Sequence, residues 1–223
     1  MRGVFVTGTD TGAGKTVVAA AICAALVERG ERVSAFKPVV TGVDEEAGEW
    51  PADHELLARV TGQTPGDVTP YTFGPAASPH WAAELAGRPI EPERLVSVAR
   101  AATGFVVCEG VGGLLVPLTS GYSVRDLAVD LALPLVVAAR TGLGTISHTL
   151  LTVEAARAAG LTVAGIVMTP WPERPEPIET SNRETVERLA GVTVSGLAAA
   201  TPATLAAAGA ALPVDDWQSS ARA

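Results

Sequence analysis

Gly8-Thr9-Asp10-Thr11-Gly12-Ala13-Gly14-Lys15-Thr16 is the stretch from which the rest of the chain is read. It follows a short apolar run, Val4-Phe5-Val6, and precedes an alanine- and valine-rich run from Val17 to Val27. Strand, glycine-rich loop and helix in that order predict a phosphate-binding loop. The glycines permit a tight turn, so that several backbone N–H groups converge on one anion. The helix N-terminus adds its partial positive charge. In such loops the lysine reaches the terminal phosphates and the threonine hydroxyl sits on Mg²⁺. Nucleotide contacts are therefore expected at Gly12, Ala13, Gly14, Lys15, Thr16 and Val17.

The spacing is unusual. Five residues separate Gly8 from Gly14, where the common loop has four. Partitioning and site-selection ATPases carry a second lysine five residues before the Gly-Lys-Thr lysine, and that position here is Asp10. A carboxylate cannot act as a cation toward a neighbour's phosphates, so that branch is disfavoured.

Composition narrows the class. With 223 residues, 48% hydrophobic and 18% charged, the chain suits one α/β domain over 1–223, built on a parallel sheet covered on both faces. A net charge of −8 argues against nucleic acid and acidic membrane surfaces as partners. Cys23 and Cys108 lie in apolar runs and read as buried, reduced thiols of a cytoplasmic protein. Met1-Arg2-Gly3 leads directly into the first strand, so no signal peptide is expected. No uninterrupted apolar run reaches membrane-spanning length.

Valine-rich strands are expected at 4–7, 33–37, 105–109, 135–139, 163–168 and 192–197. Helices are expected at 15–29, 53–60, 78–85, 92–102, 145–159 and 183–190, the last with Ser181 and Glu184 at capping-box spacing. Successive strand–helix units predict a doubly wound, mostly parallel sheet, with its chemistry at the carboxyl ends of the strands. Residues 38–52, with Thr41, Gly42 and four acids, read as one long loop; 170–177, with four prolines and Trp171, read as another. The uncharged stretch 198–211 reads as a buried or loosely ordered terminal segment, and 218–223 as frayed.

Several side chains belong beside the loop. Lys37 closes the second strand and should point into the crevice above the sheet, with Thr41 four residues on. Asp53 opens a helix, where an N-cap role is the simpler reading. Glu109 ends a strand of apolar residues, the place of an acid opposite the loop in Mg²⁺-nucleotide sites. Gly110-Val111-Gly112-Gly113 follows it and permits close backbone approach to a ligand. The link 141–148 has free N–H groups at a helix start, suited to a carboxylate. His54, His80 and His148 show no metal spacing.

Together these motifs resemble the dethiobiotin synthetases. The resemblance runs from Val4 to about Gly196. It rests on Val-Thr-Gly-Thr-Asp-Thr at 6–11 with Gly-Lys-Thr at 14–16, and on Lys-Pro-Val at 37–39 with Thr41-Gly42. It also rests on Pro-Tyr-Thr-Phe at 70–73, Ser-Pro-His at 78–80, Gly-Arg-Pro-Ile at 87–90, Glu109-Gly110 with Gly112-Gly113, and Leu-Gly-Thr at 143–145 with His148-Thr149.

The resemblance implies a C–N bond-forming ligase of biotin synthesis. It would act on 7,8-diaminopelargonic acid, CO₂ and ATP through a carbamate and a carbamic–phosphoric anhydride. Lys37, Lys15 and Thr11 would be catalytic, and Thr16, Asp53 and Glu109 would gather Mg²⁺. Further nucleotide contacts would come from Asp53, Glu109, Gly110, Val111, Gly112, Thr169, Pro170, Ala198, Ala199 and Ala200. Thr41 would orient the polar end of the substrate. The enzyme would be a homodimer, with Gly144, Thr145, Ile146 and Ser147 of the second subunit holding the substrate carboxylate. Three departures stand out. Ser147 stands where the family often has Asn, Thr169-Pro170 replaces an adenine-reading Asn-Asp, and the proline-containing base segment is missing near 198–200. A nucleoside triphosphate other than ATP, such as CTP, is therefore an expected alternative. Two rival readings are an amide ligase of the cobyrinic acid type, which would need a glutaminase domain, and a nucleotide switch.

Overall fold

The computed structural model describes residues 1–45 and 50–219. The acids Glu46 and Glu49 of the long loop, and the end of the expected frayed terminus, lie outside these residues. The chain begins with β1 (Gly3–Gly8), α1 (Lys15–Glu28) and β2 (Val33–Phe36). Then come β3 (Val40–Thr41), α2 (Asp53–Thr61), α3 (Pro65–Val68), β4 (Thr72–Phe73), α4 (Pro79–Leu85) and α5 (Pro92–Ala101). The middle holds β5 (Phe105–Gly113), β6 (Pro117–Thr119), β7 (Tyr122–Ser123), α6 (Val124–Leu131), β8 (Leu135–Ala139) and α7 (Thr145–Ala158). The last part is β9 (Val163–Trp171), α8 (Pro177–Ala190), β10 (Val194–Ala198), α9 (Leu205–Gly209) and α10 (Val214–Ser219).

Six strands form the central sheet in the order β10-β9-β8-β1-β5-β2, and all their pairings are parallel. These are the six valine-rich runs read from the sequence. Such runs suit strands covered on both faces. One face packs Val18, Ile22 and Leu26 of α1 with Leu56 of α2 and Trp217 of α10. The other packs Phe5 against Leu127 of α6, Val153 of α7 and Val186 of α8. From β1 the chain moves outward to β2, returns to β5 beside β1, then crosses to β8 on the other side. The crevice at the carboxyl ends of β1, β5 and β8 is thus the point where the winding reverses, the usual place for a ligand in an open α/β sheet.

Several features differ from the sequence reading. The last long helix starts at Pro177, six residues early. Proline fits a first helical turn because its missing N–H has no partner to lose there. The helix start is capped by Glu179, whose carboxylate accepts the Glu176 N–H at 2.9 Å, so Ser181 and Glu184 lie inside α8 and not at its end. The loop expected over 170–177 is shorter, residues 172–176, because β9 runs on to Trp171 and pairs it with Ala198, and α8 starts at Pro177. A short parallel pairing of β3 with β4 divides the long loop after β2. Finally, α6 went unrecognised; its cap is Ser123, which accepts the Asp126 N–H while Asp126 accepts the Ser123 N–H.

The alanine-rich segment after β10 is a packing element. α9 lies across α1, and a methyl group added at Gly209 would stand 2.1 Å from the Ala21 carbonyl oxygen. Backbone is on the other side of that contact, so no side chain can swing away to make room. Gly209→Ala is expected to destabilise the fold by about 1–3 kcal/mol, read as a lower urea midpoint with an unchanged slope.

Candidate active site

The turn from β1 into α1 forms the floor of the crevice. Gly12 and Gly14 have φ of 72° and 88°, left-handed values that cost an L-residue with a Cβ free energy. Gly14 is also crowded, since a Cβ there would meet the Thr169 methyl at 2.3 Å. Lys15 folds back over the loop and donates from Nζ to the Asp10 carbonyl at 2.8 Å. Thr16, one residue on, donates from Oγ1 to Glu109 Oε1 at 2.8 Å.

Lys37 follows β2 immediately. Its N–H donates to the Val68 carbonyl at 2.8 Å, and Val40 donates to the Tyr71 carbonyl at 2.9 Å. Residues 68–73 therefore act as a backbone rail: Val68 fixes Lys37, and the Pro-Tyr-Thr-Phe stretch fixes Val40 and Thr41. Lys37 is 3% exposed. It donates to Glu109 Oε1 at 2.6 Å and Asp53 Oδ2 at 2.5 Å. Glu109 comes from the middle of the sheet, paired in register with Val6 of β1, and is fully buried.

Burial and charge oppose each other here. Burial pushes the Glu109 carboxyl above the ordinary range, and Lys37 offsets this only in part. Burial would lower the Lys37 ammonium, but Glu109 and Asp53 more than compensate, so its pKa is raised. Asp53, desolvated but held by Lys37 and Thr16, is lowered. Lys15 is lowered by burial, which the charge of Glu109 does not fully counter.

These residues line one cavity of about 720 Å³. Thr11, Gly12, Gly14, Lys15, Thr16 and Val17 form its floor, with Lys37, Thr41, Asp53, Glu109, Val111 and Gly112 around it. Ala13 is buried in the core, and the space beside Gly110 is taken by Val124 and Phe5. Thr169, Pro170 and Ala198–Ala200 lie outside the cavity wall; Thr169 is buried with its methyl against Gly14. Gly144, Thr145, Ile146 and Ser147 open α7 away from this cavity. The sequence did not mark Val39, Trp50, Leu56 and Val116 as apolar walls. Ser78 and Pro79 are also in the lining, within the Ser-Pro-His motif.

The donor set suits a hard divalent cation. Glu109 Oε2 is fully buried and has no hydrogen-bond partner among the described residues. Beside it stand the Thr16 hydroxyl and the Asp53 carboxylate. Oxygen donors of this kind, few in number, match Mg²⁺, which keeps waters and takes the rest of its shell from phosphate.

The chain matches a family described as an AAA domain over residues 2–201. It is 39% identical to the ATP-dependent dethiobiotin synthetase BioD of Anoxybacillus flavithermus, over 88% of this chain and 90% of that one. It is 45% identical to the protein of that name from Anaeromyxobacter dehalogenans, over 85% and 86%. The chain belongs to the dethiobiotin synthetase family. A third such synthetase, from Rhodococcus erythropolis, is 40% identical over 86% of each chain. Among solved structures, the cell division ATPase MinD of Pyrococcus furiosus superposes with a TM-score of 0.54 at 17% identity, covering 100% of this chain and 98% of that one. That likeness concerns the fold alone. No helix of the described residues is long and apolar enough to cross a membrane, and both cysteines are buried and free.

Lys37 carries a structural cost that its place at a strand end did not suggest. Its removal leaves Glu109 buried without a counter-charge, a loss of about 3–5 kcal/mol where such pairs have been broken. With Lys37 absent the Glu109 pKa rises further. A raised carboxyl favours the folded state below its unfolded value and loses that contribution as pH climbs through the folded value. The stability deficit of Lys37→Met should therefore be largest at neutral pH and shrink toward the ordinary glutamate range near about 4.3. Adding Glu109→Gln should remove most of it. Urea melts of the three proteins across pH would check both points.

Proposed function

We propose that the chain performs the family reaction, closing the ureido ring of dethiobiotin from 7,8-diaminopelargonic acid, CO₂ and a nucleoside triphosphate. One observation carries this reading: two buried ammonium groups, Lys15 and Lys37, share a cavity with Asp53 and Glu109. A reaction between two anions needs charge neutralised more than it needs protons moved.

One substrate amine adds CO₂ and gives up a proton, leaving a carbamate. A carbamate oxygen then attacks the γ-phosphorus and ADP departs. The second amine attacks the carbonyl carbon of the mixed anhydride, phosphate leaves carrying that amine's proton, and the ring closes. Lys37 would hold the carbamate oxygen against the γ-phosphate, and Lys15 would hold the phosphate itself. Thr11 and Thr41 would orient the amines. Thr16, Asp53 and Glu109 would hold Mg²⁺, which when bound neutralises the charge of the triphosphate. The apolar walls Val39, Leu56 and Val116 suit the methylene chain of the substrate.

The reading extends to a homodimer in which residues 144–147 of the second subunit hold the substrate carboxylate. Leu143, Leu151 and Leu115 support it, being 88%, 60% and 58% exposed around the start of α7. On the base side, Thr169 offers a single hydroxyl and Pro170 no N–H, which supports relaxed base choice with CTP beside ATP.

Phosphate release should require the diamine and bicarbonate together, whereas a nucleotide switch would ignore both. In that assay kcat/KM for CTP should lie well within about a thousandfold of that for ATP. Release that is independent of the diamine would refute the assignment. Asp53→Asn and Glu109→Gln should each lose activity at ordinary Mg²⁺ and recover part of it at high Mg²⁺. Unchanged activity in both would remove them from the metal site.

A further inference from the structure

Arg140 stands immediately after β8, and its side chain crosses to the phosphate-binding loop. Its guanidinium donates to the Thr11 carbonyl at 3.0 Å. The other side-chain hydrogen bonds to the loop's backbone are local: Asp10 accepts the Thr11 N–H at 2.7 Å, and Lys15 donates to the Asp10 carbonyl at 2.8 Å. Among the described residues, Arg140 is the side chain from beyond the loop and α1 that holds the loop's backbone through a hydrogen bond.

The base of Arg140 is held as firmly as its head is exposed. Its carbonyl accepts the Thr145 hydroxyl at 2.6 Å, and Thr145 is buried as the first residue of α7. The next two carbonyls, of Thr141 and Gly142, accept the buried Asn182 amide of α8 at 2.9 and 3.3 Å. Backbone anchored on two helices therefore presents a planar, permanently charged fork to a loop whose glycines give it little stiffness of its own. Because five residues separate Gly8 from Gly14, the loop has one more peptide unit to fix than the common form.

We infer that Arg140 is a positioning residue. It sets the Thr11 end of the phosphate-binding loop, and it ties that loop to the Thr141–Gly144 turn at the start of α7. The inference rests on the reading of the loop as the triphosphate site. It gives a physical link between nucleotide binding and the α7 start, through one strand end shared by both.

The test is calorimetric binding of a non-hydrolysable ATP analogue with Mg²⁺ to the unsubstituted protein, Arg140→Ala, Arg140→Lys, Asn182→Ala and the Arg140→Ala/Asn182→Ala double variant. Melting temperatures are recorded alongside. Arg140→Ala should bind roughly threefold to tenfold more weakly, the scale of one partly exposed charge-assisted hydrogen bond. Its melting temperature should not change, because water can replace the guanidinium at an exposed carbonyl. Arg140→Lys should recover part of the loss. The double variant should lose less than the product of the single losses, because Asn182 acts through the anchored base of Arg140. Equal binding by Arg140→Ala overturns the inference while leaving the nucleotide site intact. So does a multiplicative double variant, since a free long-range charge would be indifferent to Asn182. Failure of the unsubstituted protein to bind would overturn the inference and the loop assignment together.

Discussion

Glu109 is a carboxylate at the centre of a hydrophobic sheet with no exposure to water, and much of the site is arranged around that cost. A charge in such a place persists only with partners. Lys37 and Thr16 each bond to the same oxygen, and the other oxygen has no partner among the described residues. The first strand, the second strand and the first helix all have to be in place before the acid is satisfied. The site is therefore a tertiary object, although each part looks local in the sequence. Asp53 completes the arrangement from a helix that forms after a long excursion, and a short parallel pairing steadies that excursion.

The two lysines are unlike in their environments. Lys15 sits over the loop with its charge disfavoured by burial. Lys37 is held charged by two acids. A site that brings anions together gains from a cation whose protonation is fixed, and Lys37 meets that need. It also acts as a structural counter-charge. On the proposed mechanism a single side chain would serve both folding and chemistry, and substitutions at this position would read out as both.

The sheet was legible because strands buried on both faces leave valine runs that cannot be confused with exposed segments. The phosphate loop was legible because its backbone demands glycine at fixed places. Lys37 and Glu109 could be nominated from strand ends and Asp53 through the family resemblance, but their convergence depends on strand order, which no local pattern carries. Ser181 and Glu184 had the right spacing for a cap, yet Pro177 starts the helix earlier; the spacing of two polar residues weighs less than a proline suited to a first turn. Arg140 carries no signal in the sequence, because its partner is a backbone carbonyl more than a hundred residues away, and carbonyls have no sequence signature. The membership of Trp50 in the cavity wall had no signal at all.

The carboxyl-terminal third is rich in small residues, and three glycines, in β9, β10 and α9, show what that smallness does. Gly165 lies against the Trp217 indole, Gly196 against that of Trp171, and Gly209 against the Ala21 carbonyl. At each, the space a methyl would need is already taken. The low complexity of the carboxyl-terminal third is thus a limit on volume: smallness is the information these positions carry. At any of the three, even the smallest enlargement forces a neighbour to shift. A monotonous composition here conceals some of the least replaceable positions in the chain.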